Sequence, residues 1–218
     1  RYKRFLADVE LEDGQQVTAH CPNSGSMKAC SEPGRPVFLS HHNNPKRKLK
    51  YTWELIRMPD SLVGVNTMVP NRLVSQSIKA GVVKELAGFD SVTSEVTTSK
   101  GTRLDLLLSN KKNDRCYVEI KNCSLVENNT ALFPDAVTKR GLKHLVELQK
   151  LMEKKTRSAI FYLVQRMDAG LFRPASHIDR EYAAELALAR KNGVEILVYD
   201  VVIDLKKITL GKKLPYSL

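Results

Sequence analysis

Several features that would assign this chain to a membrane or to a secreted, disulfide-rich protein are missing from its sequence. No apolar run approaches the roughly 18 residues that a membrane-spanning helix requires. The opening stretch RYKRFLADVELEDG lacks the apolar core of a secretion signal. The four cysteines form no CxxC pair, which argues against a zinc ribbon or a thioredoxin-like redox site. We therefore expect a cytoplasmic protein that has no membrane partner.

Glycine-rich phosphate loops and dinucleotide fingerprints are also absent, so no motif supports a nucleotide-dependent enzyme of small-molecule metabolism. Positive charge, in contrast, is abundant: 35 Lys and Arg stand against 24 Asp and Glu, giving a net charge of +11. Such an excess is typical of proteins that bind a polyanion, and we expect nucleic acid. Charge alone also fits an ordinary basic protein, and that alternative stays open here.

The distribution of apolar residues changes near residue 70 and predicts two domains. Residues 1–70 alternate in short runs between close turns, which favours a small barrel or sandwich of strands. Residues 71–218 alternate strand and helix patterns and predict an α/β domain. In the second domain we expect helices over 72–80, 138–154 and 179–192, and strands over 91–98, 103–109, 115–121, 158–164 and 194–201.

Three charged residues on two adjacent predicted strands have the composition of a metal site. Asp105 lies on the first strand, and Glu119 and Lys121 lie on the next, beyond a short hairpin loop. Antiparallel neighbours can place the two carboxylates side by side, and Glu119 and Lys121 project to one face because strand side chains alternate. Carboxylate oxygens are ligands that suit Mg²⁺. A metal that activates water, with an ammonium group beside it to stabilise charge on the phosphate, can catalyse phosphodiester hydrolysis.

The Asp…ExK pattern is short and also arises by chance on surface hairpins, where its charges are simply solvated. Its surroundings favour the catalytic interpretation. Leu104, Leu106, Val118 and Ile120 make both strands strongly apolar, so both are expected to be central in a sheet. Charges on central strands are costly unless they bind something.

Several long runs identify the chain as resembling the sugar fermentation stimulation protein A (SfsA) family along nearly its whole length. The runs are RYKRFLADV, AHCPNSGSM, KLKYTWEL, VGVNTMVPNRL, RLDLLL, YVEIKNCSL, FPDAVTKRGLKHLVEL, ASHID and GVEIL. The resemblance implies an N-terminal OB-like β-barrel followed by a PD-(D/E)xK nuclease-like α/β domain with a mixed sheet. It also implies binding to DNA, which favours DNA over RNA while leaving both open, and a regulatory link to sugar (maltose) metabolism.

Carried over by position, the resemblance assigns the nuclease core to Asp105, Glu119 and Lys121, with Mg²⁺ or Mn²⁺ as the cofactor. The backbone carbonyl of Ile120 is implied as a further metal ligand. Glu95 matches a family glutamate and is expected to join the metal site, although an ordinary surface strand residue is an equal alternative. The chain departs from the family pattern at Gln76, where a helical glutamate is expected.

Basic and aromatic residues predict where nucleic acid lies. On the helix after the second charged strand, Arg140, Lys143 and His144 fall at i, i+3 and i+4 and predict one basic face. In the first domain a basic run precedes Tyr51 and Trp53, which either stack on bases or belong to the barrel core. A solvated surface is the alternative for both groups. The predicted nucleic-acid contacts are Arg47, Lys48, Lys50, Tyr51, Arg103, Lys139, Arg140, Lys143 and His144.

Two smaller features complete the expectations. The turn Cys21–Met27 has backbone and hydroxyl donors that suit a phosphate, or it is a purely structural turn. Asp135 and Thr138 precede the basic helix and are expected to cap it. Two functions stay open at this point: a Mg²⁺- or Mn²⁺-dependent nuclease with little sequence preference, and a non-catalytic DNA-binding regulator of sugar (maltose) metabolism genes.

Overall fold

The computed structural model describes residues 1–152 and 156–218. Its N-terminal part contains only strands, and its larger C-terminal part combines strands with helices. The strands are β1 (Leu6–Glu10), β2 (Gln16–His20), β3 (Val37–His41), β4 (Tyr51–Arg57), β5 (Leu62–Gly64), β6 (Ser91–Ser99), β7 (Thr102–Ser109), β8 (Arg115–Cys123), β9 (Leu125–Glu127), β10 (Thr130–Phe133), β11 (Arg157–Val164), β12 (Leu171–Pro174), β13 (Glu195–Ile203) and β14 (Ile208–Lys213). The helices are α1 (Val69–Lys79), α2 (Lys139–Met152) and α3 (Arg180–Lys191), with a 3₁₀ turn at Lys84–Leu86.

The N-terminal strands form one sheet in the order β1-β2-β4-β3, and β5 pairs with the end of β4. Alternating side chains of these strands enclose a small core that includes Ala7, Cys21 and Val63. Trp53 belongs to this core and is only 4% exposed. The barrel-core interpretation of Trp53 is therefore confirmed, and its indole is not free to stack on a base.

The larger part is built on a six-stranded sheet, within the described residues, in the order β14-β13-β11-β8-β7-β6. Strands β8, β11 and β13 run parallel, whereas β6, β7 and β14 join antiparallel at the two edges. Parallel strands buried on both faces read as continuous apolar runs, as β11 does with RSAIFYLV. A small sheet of β12, β10 and β9 lies beside it.

Helices cover both faces of the large sheet. On one face α1 buries Val74 and Ile78 in a core that β4 and β5 of the N-terminal part also enter. On the other face α2 and α3 pack against the sheet through a second core, to which α2 contributes Leu145 and Leu148. Each fully buried leucine contributes about 1.5–3 kcal/mol of transfer free energy. None of the described helices is long and apolar enough to cross a membrane.

The N-terminal and C-terminal parts are joined by direct hydrogen bonds as well as by the shared core. The backbone N–H of Gly64 donates to the carbonyl of Gln165 at 2.8 Å, and the N–H of Met167 donates to Ser61 Oγ at 2.9 Å. A Cβ at Gly64 would lie 2.6 Å from Gln165 Oε1, so a larger residue here would require the buried side chain of Gln165 to move. The barrel therefore packs against the sheet domain as a fixed neighbour.

The segment before α2 supplies another connection and corrects one expectation. Thr138 caps α2 as predicted, because its Oγ1 accepts from the backbone N–H of Gly141 at 3.0 Å. Asp135 was expected to cap the same helix, and this prediction is wrong. Its carboxylate instead accepts from the backbone N–H groups of Ser26 and Met27, at 2.9 and 3.3 Å. Ser26 Oγ also donates to this carboxylate, so the donors of Ser26 and Met27 have a protein partner, which fits the structural interpretation of the Cys21–Met27 turn.

Some predicted element limits also differ from the structure. The apolar alternation of the first domain starts at Tyr2, but strand β1 begins only at Leu6, because Lys3 and Arg4 have positive φ angles and form a turn. Helix α1 begins at Val69, since Pro70 fits within a first helical turn. The predicted end of α2 at residue 154 lies outside the described residues. Five strands were not predicted, and they are three to six residues long: β5, β9, β10, β12 and β14.

Candidate metal centre

The candidate site lies where the pairing of β7 and β8 ends. The antiparallel register runs to Leu106↔Val118, and one step further places Asp105 opposite Glu119. Here the side chain of Asp105 replaces the missing main-chain acceptor, because its Oδ2 accepts from the backbone N–H of Ile120 at 2.7 Å. The negative charge of Glu119 contributes to the raised pKa of Asp105, so the two carboxylates lie near each other where the pairing ends.

Glu119 points from β8 toward α2 and is 3% exposed. Its Oε1 accepts from Lys121 Nζ at 2.6 Å and contacts His144 Nδ1 of α2. Its Oε2 is buried and has no hydrogen-bond partner in the described part of the chain. A buried acceptor without a partner typically costs about 1–3 kcal/mol, and more when it is charged. This orphaned oxygen is the feature that a cation would satisfy.

The two carboxylates have opposite pKa shifts. Burial, reinforced by the negative charge of Glu119, raises the pKa of Asp105 from 3.8 to about 6. Burial also pushes the pKa of Glu119 upward, but the hydrogen bonds and charges of His144 and Lys121 more than offset it, and its pKa is lowered. Two acidic groups that resist joint ionisation are characteristic of functional sites, because a bound cation removes their repulsion.

Asn71 belongs to this site and was not predicted to do so. The first helix of the second domain was predicted to begin at residue 72, but α1 begins at Val69, so Asn71 lies inside the helix. Its amide Nδ2 donates to Asp105 Oδ1 at 2.8 Å. The helical spacing carried a signal for this contact, because Asn71, Val74 and Ile78 follow i, i+3 and i+7 and share the buried face. A polar residue on that face requires a polar partner.

Gln76, at the position where the family pattern has a glutamate, lies elsewhere on α1. It is exposed and lines a cavity of about 250 Å³ together with Leu205 of the β13–β14 turn. Gln76 therefore lies away from the candidate centre, whereas the amide of Asn71 on the same helix contacts Asp105.

Glu95 lies on β6 level with Asp105, since Ser94 pairs with Leu106 and Val96 pairs with Leu104. Its φ of +60° is the left-handed conformation, and its half-exposed carboxylate pairs with Arg103 Nε at 2.5 Å. Across residues 1–152 and 156–218, no group of three or more His, Cys, Asp or Glu is arranged to hold a metal ion. Metal ligation by Glu95, and by the carbonyl of Ile120, stays a prediction.

The basic residues of α2 divide between two faces. Lys139, Arg140 and Lys143 are exposed, and Lys143 Nζ donates to the carbonyl of Gly101 in the β6–β7 turn at 2.9 Å. His144 is only 4% exposed and faces Glu119. It therefore does not share the exposed basic face on which it was expected. One residue is 100° of helical turn, enough to separate Lys143 from His144.

The basic run of the first domain lies in the loop between β3 and β4. Lys48 and Lys50 are exposed, whereas Arg47 is half-buried and donates to Thr52 Oγ1 at 2.9 Å. Tyr51 is half-buried, and its ring centroid lies 5.1 Å from that of His41. Lys48 and Lys50 thus offer unburied charge to a polyanion, and their role as contacts stays a prediction.

Comparison with known proteins assigns a family to both parts of the chain. A family model described as the SfsA N-terminal OB domain matches residues 1–65. A second, described as the sugar fermentation stimulation protein RE domain, matches residues 68–207. Two sugar fermentation stimulation protein homologs are close to this chain over its length. The homolog from Geotalea uraniireducens is 51% identical and covers 98% of this chain and 92% of its own. The homolog from Pelobacter propionicus is 52% identical and covers 100% and 94%.

The fold matches a solved structure as well. Pyrococcus furiosus SfsA, solved in complex with Ca²⁺, superposes with a TM-score of 0.91 over 100% of this chain and 93% of its own, at 24% sequence identity. The expected OB-like domain followed by a nuclease-like α/β domain with a mixed sheet is thereby confirmed. The chain belongs to the sugar fermentation stimulation protein (SfsA) family and consists of its N-terminal OB domain and its restriction-endonuclease-like RE domain.

Proposed function

We propose that this protein binds nucleic acid, DNA rather than RNA, and hydrolyses phosphodiesters with Mg²⁺ or Mn²⁺ held by Asp105 and Glu119. The observation that carries the proposal is the orphaned, buried Oε2 of Glu119, opposite a carboxyl group whose pKa is raised to about 6. An unpaired carboxylate oxygen beside a second carboxylate is destabilising for the protein alone. A divalent cation between them removes that destabilisation.

The donor set fits a hard cation. Carboxylate oxygens are the ligands that Mg²⁺ takes from proteins, and Mg²⁺ keeps several waters when only one or two carboxylates hold it. The relative from Pyrococcus furiosus was solved in complex with Ca²⁺, another cation that takes oxygen ligands. That relative supports a divalent site in this chain by analogy. The carbonyl of Ile120 and the carboxylate of Glu95 are the further ligands we propose.

The charged groups around the pair suit phosphoryl chemistry. A bound divalent cation would acidify water and neutralise charge on the phosphate. Lys121 Nζ donates to Glu119 Oε1 at 2.6 Å, so the ammonium already lies beside the proposed metal position before any substrate enters. An ammonium at this position stabilises charge that develops on a phosphate oxygen, or orients the attacking water. Asn71 and the backbone N–H of Ile120 hold the two oxygens of Asp105 in the same way.

Exposed cations next to this centre supply the nucleic-acid contacts that we propose. Arg103 lies two residues from Asp105 on β7. The exposed Arg140 and Lys143 of α2 lie within about one helical turn before His144. Binding by these residues and by Lys48 and Lys50 would be mainly to phosphates, with little base recognition. Affinity should then fall steeply with salt, because each neutralised phosphate releases counterions.

A nuclease assay tests the proposal. The protein, its Asp105→Ala and Lys121→Ala variants and a Lys150→Ala control on the outer face of α2 are incubated with labelled single-stranded, duplex and branched DNA and with RNA. Mg²⁺, Mn²⁺ and EDTA are compared. We expect metal-dependent cleavage of DNA that the control retains and both site variants lose. The enzyme claim fails if the unaltered protein and Asp105→Ala are equally inert. DNA binding that persists without cleavage or a metal site would favour the regulator.

A further inference from the structure

We propose that His144 is a positioning residue, which from α2 determines which oxygen of Glu119 faces the metal. The inference rests on the proposed metal site at Asp105 and Glu119. It departs from the expectation that His144 contacts nucleic acid, because a ring that is 4% exposed has no surface to offer a polyanion.

The first observation is how the oxygens of Glu119 are used. Both donors, Lys121 Nζ and His144 Nδ1, contact Oε1, and Oε2 contacts neither. The two oxygens are chemically equivalent, so nothing in the carboxylate itself decides which one is occupied. With its proton on Nδ1 the ring donates to Oε1 and leaves Oε2 for a cation. Such partners behind a ligating group are what fix its orientation in metal proteins.

The second observation concerns how the two donors are anchored. Lys121 carries its ammonium on a flexible stem and lies 3.3 Å from the imidazole nitrogen. His144 lies on α2 beside the fully buried Leu145 and Leu148. A buried ring on a packed helix loses little further freedom when it forms a hydrogen bond, so it is the better anchor for Glu119.

The third observation concerns how closely α2 packs against α3. Gly141 is three residues before His144 and lies on the same side of the helix. A Cβ at Gly141 would lie 2.8 Å from Thr138 Cγ2 and 3.1 Å from Tyr182 Cε2 of α3. The missing side chain therefore lets the first turns of α2 settle against α3. From the same end of α2, His144 contacts Glu119 of β8.

Removal of the partner of a metal ligand typically weakens metal binding ten- to hundredfold. We expect about that loss of Mn²⁺ affinity in His144→Leu, which keeps an apolar side chain but has no donor. His144→Asn carries an N–H near the position of Nδ1 and should recover most of the affinity. Lys150→Ala, on the exposed side of the same helix, should bind Mn²⁺ like the unaltered protein. Isothermal calorimetry measures all four proteins, with thermal unfolding to confirm that each is folded.

A second measurement uses the protein without metal. Long-range ¹H–¹⁵N spectra report the proton on His144 Nδ1, and Glu119→Gln should shift this signal while leaving the exposed His177 unchanged. No response of His144 in this experiment would overturn the contact. Equal Mn²⁺ affinity in His144→Leu would overturn the positioning role while the proposed nuclease site stands. Tighter binding would also overturn it, because the ring would then oppose the metal. Failure of the unaltered protein to bind Mn²⁺ would defeat the proposed function and this inference together.

Discussion

Replacing Asp105 by asparagine should stabilise the metal-free protein while abolishing metal binding. Burial and the neighbouring charge of Glu119 hold the pKa of Asp105 at about 6, against 3.8 for a free side chain. The folded protein at neutral pH thus carries an ionised group in an unfavourable place. An amide of the same shape removes that charge and keeps an acceptor for one of the two donors that Asp105 now binds.

The expected size follows from these values. A tenfold change in an acid constant corresponds to about 1.4 kcal/mol, so the rise from 3.8 to about 6 corresponds to about 3 kcal/mol. The loss of one hydrogen-bond acceptor reduces this gain in the free energy of unfolding by about 1 kcal/mol. Asp105→Asn should therefore raise the free energy of unfolding by about 2 kcal/mol at about pH 7.5. For a chain of 218 residues this raises Tm by about 4–8 °C.

The pH dependence has a definite sign. The folded pKa lies above the unfolded one, so the contribution of Asp105 is fully present below the unfolded pKa and is lost as pH rises through about 6. The advantage of Asp105→Asn should thus appear between about pH 4 and pH 6 and level off above. At about a hundredfold excess of Mn²⁺ over its Kd, binding adds about 2.7 kcal/mol to the unaltered protein alone. The order of stability should then reverse.

Urea unfolding of both proteins at several pH values, in EDTA and in Mn²⁺, measures these differences. Glu119 has a lowered pKa, so Glu119→Gln serves as the contrasting variant and should destabilise the metal-free protein. The reasoning is refuted if Asp105→Asn is less stable than the unaltered protein in EDTA at about pH 7.5, or if its advantage is the same at about pH 4.

Three further changes test other contacts. The double variant Arg140→Ala/Lys143→Ala should weaken DNA binding in fluorescence anisotropy and reduce the slope of log affinity against log salt by about 2, and an unchanged slope would remove these residues from the interface. Asp135→Ala leaves two backbone N–H groups of the barrel turn without their acceptor and should lower the free energy of unfolding by about 1–3 kcal/mol, whereas no loss in urea would show that this connection contributes nothing. The buried hydroxyls of Tyr162 and Tyr182 lie 2.6 Å apart, so Tyr162→Phe should cost about 1–3 kcal/mol, and adding Tyr182→Phe should recover part of it; additive losses in this cycle would contradict the pairing.

Much of the fold followed from local pattern. The alternation in β7 and β8, the continuous apolar run of β11 and the helical spacing in α2 each depend on neighbouring residues, so each was predicted close to its observed limits. The short strands β9, β10 and β12 were missed because an alternating pattern cannot be recognised over only three or four residues. The pairing of β10 with β12 also joins segments far apart in the chain, and local pattern carries no information on such a partner.

The candidate site divides in the same way. Residue type and spacing alone pointed to Asp105, Glu119 and Lys121, because strand alternation is a local rule and two strands joined by a short hairpin are neighbours. The contacts of Asn71 and His144 depend on where α1 and α2 lie against the sheet. No local rule gives that placement, since it follows from which side chains fill each core.

Sequence by itself therefore determined the elements, the basic charge and the trio of charged residues, all of which are properties of short segments. Tertiary structure decided that Asn71 points inward, that His144 turns away from its basic neighbours, and that Asp135 binds the barrel turn instead of capping α2. These are contacts between residues far apart in the chain. Packing selects among the faces that a helix or turn could present, and periodicity alone does not distinguish them.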